Sequence, residues 1–230
     1  MMAAHGFPGA AEIGTMRPIP RPAGILAASG ASASGASASG ASASGASVGG
    51  PDVRQEPEMI IRDATEADVP EIQSIYAHHV LNGTGTFEEE PPSVEEMLGR
   101  FRGIVDNGWR WLAAVDESGV LGYGYYSQFR PRTAYRYCVE DSIYVRENVR
   151  GQGVGKALVA ALIDICTAAG MRQMIAVIGD SDNVGSIGVH ASLGFQKVGT
   201  LHASGIKFGR WLDSVYMQRA LGRGDVDIPG

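Results

Sequence analysis

Cysteine is scarce: the 230 residues include two, Cys138 and Cys166. They lie far apart and match no metal-binding or redox spacing, which argues against a disulfide framework and a zinc module. Both are expected to be core thiols of a cytoplasmic protein. Long apolar runs are missing too, and none approaches the ~20 residues that a membrane span requires. The opening stretch, Met1 to Met16, has neither the basic start nor the continuous apolar core of ~7–15 residues that marks a signal peptide. Basic excess is absent as well. The formal net charge is −6, and an acidic chain is a poor nucleic-acid binder by default. The reading is therefore a protein with no membrane and no nucleic-acid partner.

Small residues are plentiful, and they divide the chain. Gly30-Ala31-Ser32-Ala33-Ser34 recurs twice more in full before Ser47. Such residues bury too little apolar area to offset the entropy of ordering them, so residues 1–57 read as a disordered low-complexity tail. That tail holds three basic and three acidic residues, which leaves the whole net charge on the remainder. Residues 58–222 suffice for one domain burying roughly 70% of the surface of its unfolded chain. Residues 223–230 read as a flexible C-terminus.

Within the domain, Met59 to Arg62 form a short strand, and Thr65 to Asp68 cap a helix with an inward face of Val69, Ile72, Ile75, Tyr76 and Val80. Ser93 and Glu96 make a capping box for a second helix, with Met97, Phe101 and Ile104 inward. Trp111–Val115 and Val120–Ser127 read as a hairpin. Tyr123, Tyr125, Phe129 and Tyr135 suggest an aromatic cluster beside the basic loop Arg130-Pro131-Arg132. Further strands are expected over Tyr137–Val145 and Met174–Ile178, with a helix over Asn183–Leu193 ending at Gly194. Closing strands are expected at Phe195–Leu201 and Ser214–Arg219, separated by His202 to Trp211. The order β-α-α-β-β-β-α-β-α-β-β predicts an α/β (α+β) fold, a mixed sheet with helices on both faces.

The chemistry-bearing stretch is Asp141 to Ala169. A strand ends at Val145, a polar turn leads into Arg150-Gly151-Gln152-Gly153-Val154-Gly155, and a helix follows with Val154, Ala157, Leu158, Ala161, Leu162 and Ile165 on one side. Glycines permit close backbone approach, and the unpaired N–H groups of a first helical turn favour an anion. Lys156-Ala157 does not complete a P-loop, and the spacing fails the dinucleotide fingerprint. The run matches Arg/Gln-x-x-Gly-x-Gly, the pyrophosphate loop of the GNAT superfamily of N-acetyltransferases.

The resemblance to that superfamily extends over most of Phe87 to Arg219, and within it to the phosphinothricin / L-amino-acid N-acetyltransferase branch. It is carried by Phe129 to Tyr135, Val139 to Val145, Ala176 to Gly179, Val189 to Phe195 and Gly205 to Asp213. One departure falls near the expected substrate end: the branch often has Tyr-Lys-His-Gly where this chain has Ile206-Lys207-Phe208-Gly209. The resemblance implies a GNAT fold for residues 58–222, with a sheet of about seven strands, and acetyl-coenzyme A as co-substrate without a metal. It implies a homodimer as well.

Acetyl transfer to an amine needs a base for the ammonium, donors for the carbonyl oxygen and a proton for the departing thiolate. Glu140, on the strand before the glycine loop, is the candidate base. His190 stands four residues before Gly194, where most relatives carry the tyrosine that protonates the coenzyme A sulfur, and is the second catalytic candidate. His78, His79 and His202 read as structural. Arg150, Gly151, Gln152, Gly153, Val154, Gly155 and Lys156 are expected to hold the pyrophosphate. Ile143, Tyr144 and Val145 are expected to pair with the pantetheine arm, which requires a splayed sheet edge; Asn183 and Ser186 complete the cofactor set. Phe87, Arg132, Tyr135, Lys207 and Trp211 are the substrate-side candidates. The expected reaction is acetyl transfer to the primary amine of a small amino acid or analogue such as methionine sulfone, methionine sulfoximine or phosphinothricin. The alternatives are acetylation of a protein N-terminus or drug amine, and a non-catalytic acyl-coenzyme A sensor.

Overall fold

The computed structural model describes residues 59–229, so the tail expected over 1–57 lies outside the described residues. Seven strands form one mixed sheet: β1 (Ile60–Asp63), β2 (Trp111–Asp116), β3 (Gly119–Gln128), β4 (Cys138–Val145), β5 (Gln173–Gly179), β6 (Gln196–Lys207) and β7 (Arg210–Ala220), in the spatial order β1-β2-β3-β4-β5-β7-β6. All neighbours are antiparallel except β4 and β5. That parallel pair needs a crossover, and α3 (Val154–Ala168) supplies it. The remaining helices are α1 (Val69–Asn82), α2 (Val94–Val105) and α4 (Val184–Ser192).

Each face of the sheet has its own core. On one face Ile72, Ile75, Val80, Met97, Phe101 and Ile104 of α1 and α2 meet Trp111, Ala113 and Tyr123. On the other, Leu158, Leu162 and Cys166 of α3 pack on Leu112, Val139, Met174 and Ala176. The inward faces expected for α1 and α2 are the observed ones. Both capping boxes form, at Thr65 with Asp68 and at Ser93 with Glu96.

The buried stripe of α3 is rotated from the expected one. Val154, Leu158 and Leu162 are shared, but Val159, Ile163 and Cys166 are buried rather than Ala157, Ala161 and Ile165. This helix is apolar around most of its circumference, so spacing alone does not single out one side. The aromatic cluster also resolves differently. Tyr123 and Tyr125 stack on Trp111, while Phe129 and Tyr135 form a separate edge-to-face pair in the loop after β3.

The expected break over His202 to Trp211 is mostly strand. β6 and β7 run on to a turn at Phe208-Gly209, and a register shift between Leu201 and Gly205 absorbs the intervening residues. Asp213 stitches this bulge: its carboxylate accepts from the Ala203 N–H (3.0 Å) and the Ser181 hydroxyl (2.6 Å). Ala, Ser and Gly lack the β-branched signal of a strand, and a cross-strand carboxylate is not visible in local sequence. The C-terminal segment expected to be flexible is tied back through Asp227, which lies 2.9 Å from both Arg172 and Arg223.

Candidate active site

The parallel pairing of β4 with β5 runs from Cys138↔Gln173 to Asp141↔Ala176 and stops. Beyond that point β4 keeps β3 as far as Val145, and β5 keeps β7 as far as Gly179. The two strands therefore part, and a cleft of about 860 Å³ opens between them. Ser142 to Val145 form one wall and Val177 to Asp180 the other. Phe129 N–H donates to Cys138 O, and Arg146 N–H donates to Leu121 O. With the period of two of a strand, the backbone groups of Ile143 and Val145 consequently turn from β3 toward the cleft. The splayed edge expected of Ile143, Tyr144 and Val145 is present.

At the mouth of the cleft, Gly151 and Gly153 have φ of +78° and +85°, left-handed values that favour glycine. A Cβ on either would meet no protein atom within 4 Å, so the space above them is open. Gly153 caps α3, and the first intrahelical bond is Ala157 N–H to Gly153 O at 2.9 Å. The N–H groups of Val154, Gly155 and Lys156 thus precede the helix ladder and are available to an anion. Arg150, Gly151, Gly153, Val154, Gly155 and Lys156 all line the cleft. Gln152 does not; its amide donates to Asn148 O at 3.4 Å.

Asn183 and Ser186 line the opposite wall. The Asn183 Oδ1 accepts from the Ser186 N–H (3.2 Å) as the N-cap of α4, so its carbonyl oxygen is spent on the helix. His190, one turn further on, is buried: Nδ1 donates to Ser186 O (2.7 Å), and Nε2 lies 3.1 Å from Asp141 Oδ2. Burial alone would lower the His190 pKa, but the Asp141 hydrogen bond and charge, with the Ser186 carbonyl, leave it raised.

Glu140 immediately precedes the parting and faces the α1/α2 side. Its side chain is 31% exposed and lies 3.7 Å from the Arg130 guanidinium, which in turn sits over the Phe129 ring. Burial pushes the Glu140 carboxyl up to about 7, Arg130 opposes this, and Asp141 adds to it. Neither Arg132 nor Tyr135 lines the cleft; Arg130 is the member of the basic loop that reaches Glu140.

Lys207, expected on the substrate side, is instead spent on backbone carbonyls. It is 1% exposed, and its ammonium donates to Gly83 O (2.8 Å) and Thr86 O (2.9 Å). Those carbonyls belong to the loop between α1 and α2, whose Gly83, Thr84 and Gly85 line the cleft. Phe87 is half-buried against Gly205 and Gly179 rather than turned to the cleft. A Cβ at Gly179 would overlap the Thr84 carbonyl oxygen, so the loop sits directly on the end of β5. Trp211 is 63% exposed on the β6–β7 hairpin, and Phe208 occupies its turn; neither lines the cleft. The departure at Phe208 thus falls at the hairpin tip.

Sequence reading passed over several contributors. His79 donates from Nε2 to Val145 O (2.9 Å), a structural role as expected, yet one that fixes the end of β4 beside the glycine loop. Burial lowers the His79 pKa, so the neutral ring is favoured. Asp180, at a φ of +73°, closes the end of β5 and pairs with Arg210; both line the cleft. Asp141 carried a usable signal: strand alternation puts it on the face opposite Glu140, toward α4. Among the described residues no group of three or more His, Cys, Asp or Glu is placed to hold a metal, and no helix is long and apolar enough to cross a membrane.

The family described as "Acetyltransferase (GNAT) domain" matches residues 61–216. A phosphinothricin N-acetyltransferase from Alcaligenes faecalis is 46% identical over 169 residues, covering 74% of this chain and 86% of that protein. An L-methionine sulfoximine/L-methionine sulfone acetyltransferase from Pseudomonas paraeruginosa is 43% identical over 159 residues, covering 69% and 92%. Among solved structures, a GNAT phosphinothricin acetyltransferase from Sinorhizobium meliloti in complex with AcCoA has a TM-score of 0.72 and 51% identity, covering 75% of this chain and 93% of that one.

The Glu140 environment predicts a pH dependence of stability. Its folded pKa of about 7 lies above the ordinary 4.5. The folded state therefore holds the proton more tightly, and stability falls as pH rises from the ordinary value through the raised one. Glu140→Gln removes that titration. Melting curves between pH 4 and 8 should show the variant gaining on the parent as pH rises; parallel curves would contradict a buried, raised carboxyl.

Proposed function

The chain belongs to the GNAT family of acetyltransferases, and from that premise we propose that it moves the acetyl group of acetyl-coenzyme A to the primary amine of a small amino acid or analogue, of the methionine sulfoximine, methionine sulfone or phosphinothricin type. The observation that carries this reading is the position of Glu140 directly before the parting of β4 and β5. Glu140 does not itself line the cleft, but its raised carboxyl stands one residue before the vertex, which supports a role as base for an amine approaching from the α1/α2 side.

The cleft fits the thioester co-substrate. The open N–H groups of Val154, Gly155 and Lys156, with the glycine turn from Arg150, suit a pyrophosphate. The backbone groups of Ile143 and Val145 suit an extended amide-bearing arm laid along β4 as an extra strand. Asn183 contributes here as the cap that orders α4, and Ser186 as part of the same wall.

In the mechanism that follows, Glu140 takes a proton from the substrate ammonium. A base poised at about 7 is matched to working pH: it holds a proton firmly enough to take one from the ammonium, yet a substantial share of it is ionised near neutrality. The freed amine attacks the thioester carbonyl carbon, whose oxygen gains charge and is stabilised by nearby backbone N–H donors. As the carbon–sulfur bond breaks, His190 supplies the proton to sulfur. Arg130 neighbours Glu140 and offers a cation suited to an amino-acid carboxylate, while Arg132 and Tyr135 stand in the same loop outside the cleft and Phe87 packs against Gly179 and Gly205. Lys207 acts by holding the α1–α2 loop.

A panel of amino acids, the three analogues and an N-terminal peptide, assayed with acetyl-coenzyme A for thiol release, tests the reading. Turnover should be greatest on an amino acid or analogue. Glu140→Gln should lower kcat by ~10²–10⁴, leave the KM for acetyl-coenzyme A unchanged and recover in part at high pH. No turnover on any amino acid, or a variant with full activity at neutral pH, would contradict it.

The assembly is read as a homodimer of cytoplasmic protein. Ile206, Phe208 and Trp211 are large, apolar and exposed together on the β6–β7 hairpin, which supports a self-association surface. Sedimentation equilibrium should give twice the 24.2 kDa chain mass; a monomer mass at every concentration would rule the dimer out.

A further inference from the structure

We propose that Asp141 is a positioning residue for proton delivery: its carboxylate holds the His190 imidazole in the doubly protonated form at the vertex of the cleft, so that Nε2–H is the proton given to the departing sulfur. The inference rests on the acetyl-transfer reading above, and adds to it the residue that charges the acid.

Hydrogen-bond chemistry carries it. Ser186 O is a carbonyl and can only accept, so the 2.7 Å contact places a hydrogen on His190 Nδ1. A carboxylate oxygen likewise accepts, so the 3.1 Å contact with Asp141 Oδ2 places a hydrogen on Nε2. With Asp141 ionised, an imidazole between two such acceptors is an imidazolium. The pair is shut away from bulk water, with side chains 4% and 1% exposed, yet both residues line the cleft. Phe195 meets the His190 ring edge-on at 5.0 Å and closes its other flank. Asp141 Oδ1 has no hydrogen-bond partner among the described residues.

The neighbours that titrate or carry charge are few. From α4, the Ser186 hydroxyl lies 3.5 Å from Nδ1. From α3, Cys166 is a buried thiol, raised by burial and by the Asp141 charge. On the opposite face of β4, Glu140 is raised in part by Asp141. One carboxylate thereby acts on both sides of the strand: it keeps His190 charged as the acid and helps hold Glu140 in its working range as the base.

The protons balance. The substrate ammonium gives one to Glu140 before attack. The nitrogen–carbon bond forms, the carbon–sulfur bond breaks with its electron pair on sulfur, and His190 Nε2–H leaves its Asp141 partner for that sulfur, leaving a neutral imidazole. The acetylated nitrogen loses its second proton to solvent, and after the products leave Glu140 releases its proton to solvent and solvent recharges His190.

Two measurements test this. In the resting full-length enzyme, nitrogen-detected NMR of His190 at neutral pH should show hydrogens on both Nδ1 and Nε2; a neutral tautomer would overturn the proposal without touching the acetyl-transfer reading. Second, pH–rate profiles should be taken for the parent, Asp141→Asn and His190→Gln on the best amine of the panel. In Asp141→Asn the alkaline limb should move about one to three pH units to the acid side, the acid limb should follow by less, and the KM for acetyl-coenzyme A should stay within about threefold. A uniform fall in kcat with both limbs unmoved would assign Asp141 a purely structural role and overturn the proposal. His190→Gln should lack the alkaline limb; a limb that persists there would remove His190 as the acid and the proposal with it. Should Asp141→Asn fail to fold, the NMR result on the parent decides.

Discussion

Everything at this site depends on two parallel strands losing their pairing after Asp141 and Ala176. Parting exposes backbone N–H and C=O groups inside a protein, and such groups cost free energy unless they find partners. The fold tolerates it because each strand keeps its other neighbour, β3 for β4 and β7 for β5. Long-range contacts hold the gap in shape. His79 takes the Val145 carbonyl, Lys207 ties down the Gly83 and Thr86 carbonyls of the overlying loop, and Gly179 lets that loop sit on β5 without a side chain between them.

Strand alternation also sends consecutive residues beside the parting to opposite faces of the sheet. A strand alternates its side chains between faces. Glu140 therefore reaches the α1/α2 side beside Arg130, while Asp141 reaches α4 and meets His190. One face holds a carboxyl pushed up by burial; the other holds an imidazole pushed up by a carboxylate. Both environments move their group upward, Glu140 from the ordinary carboxylate value and His190 from the ordinary imidazole value, as the proposed base and acid of an amine acetyltransferase need.

Much of this was legible in the chain. Capping boxes, the 3.6-residue stripes of α1 and α2, and the glycine turn leading into α3 rest on neighbours in sequence, and these elements appear in the structure. What escaped depends on contacts between distant residues. Lys207 reads as a surface cation until a loop more than a hundred residues earlier supplies two carbonyls. The β6 and β7 strands read as interrupted because Asp213, across the hairpin, stitches the bulge. Gly179 and Gly205 look like loop residues, and only the backbone and the Phe87 ring packed against them give the reason for their lack of a side chain. Asp141 was visible in the alternation of β4, but its importance emerges only when α4 is folded onto that face.

The central claim is that the free edge of β4 receives the extended arm of acetyl-coenzyme A as an additional strand. Amide hydrogen exchange, followed residue by residue with and without acetyl-coenzyme A, tests it directly. The Ile143 and Val145 amides, which face the cleft, should become protected together with Val154, Gly155 and Lys156 at the start of α3, while amides of the β6–β7 hairpin should not change. Protection confined to the α3 terminus, with Ile143 and Val145 exchanging as before, would contradict the account.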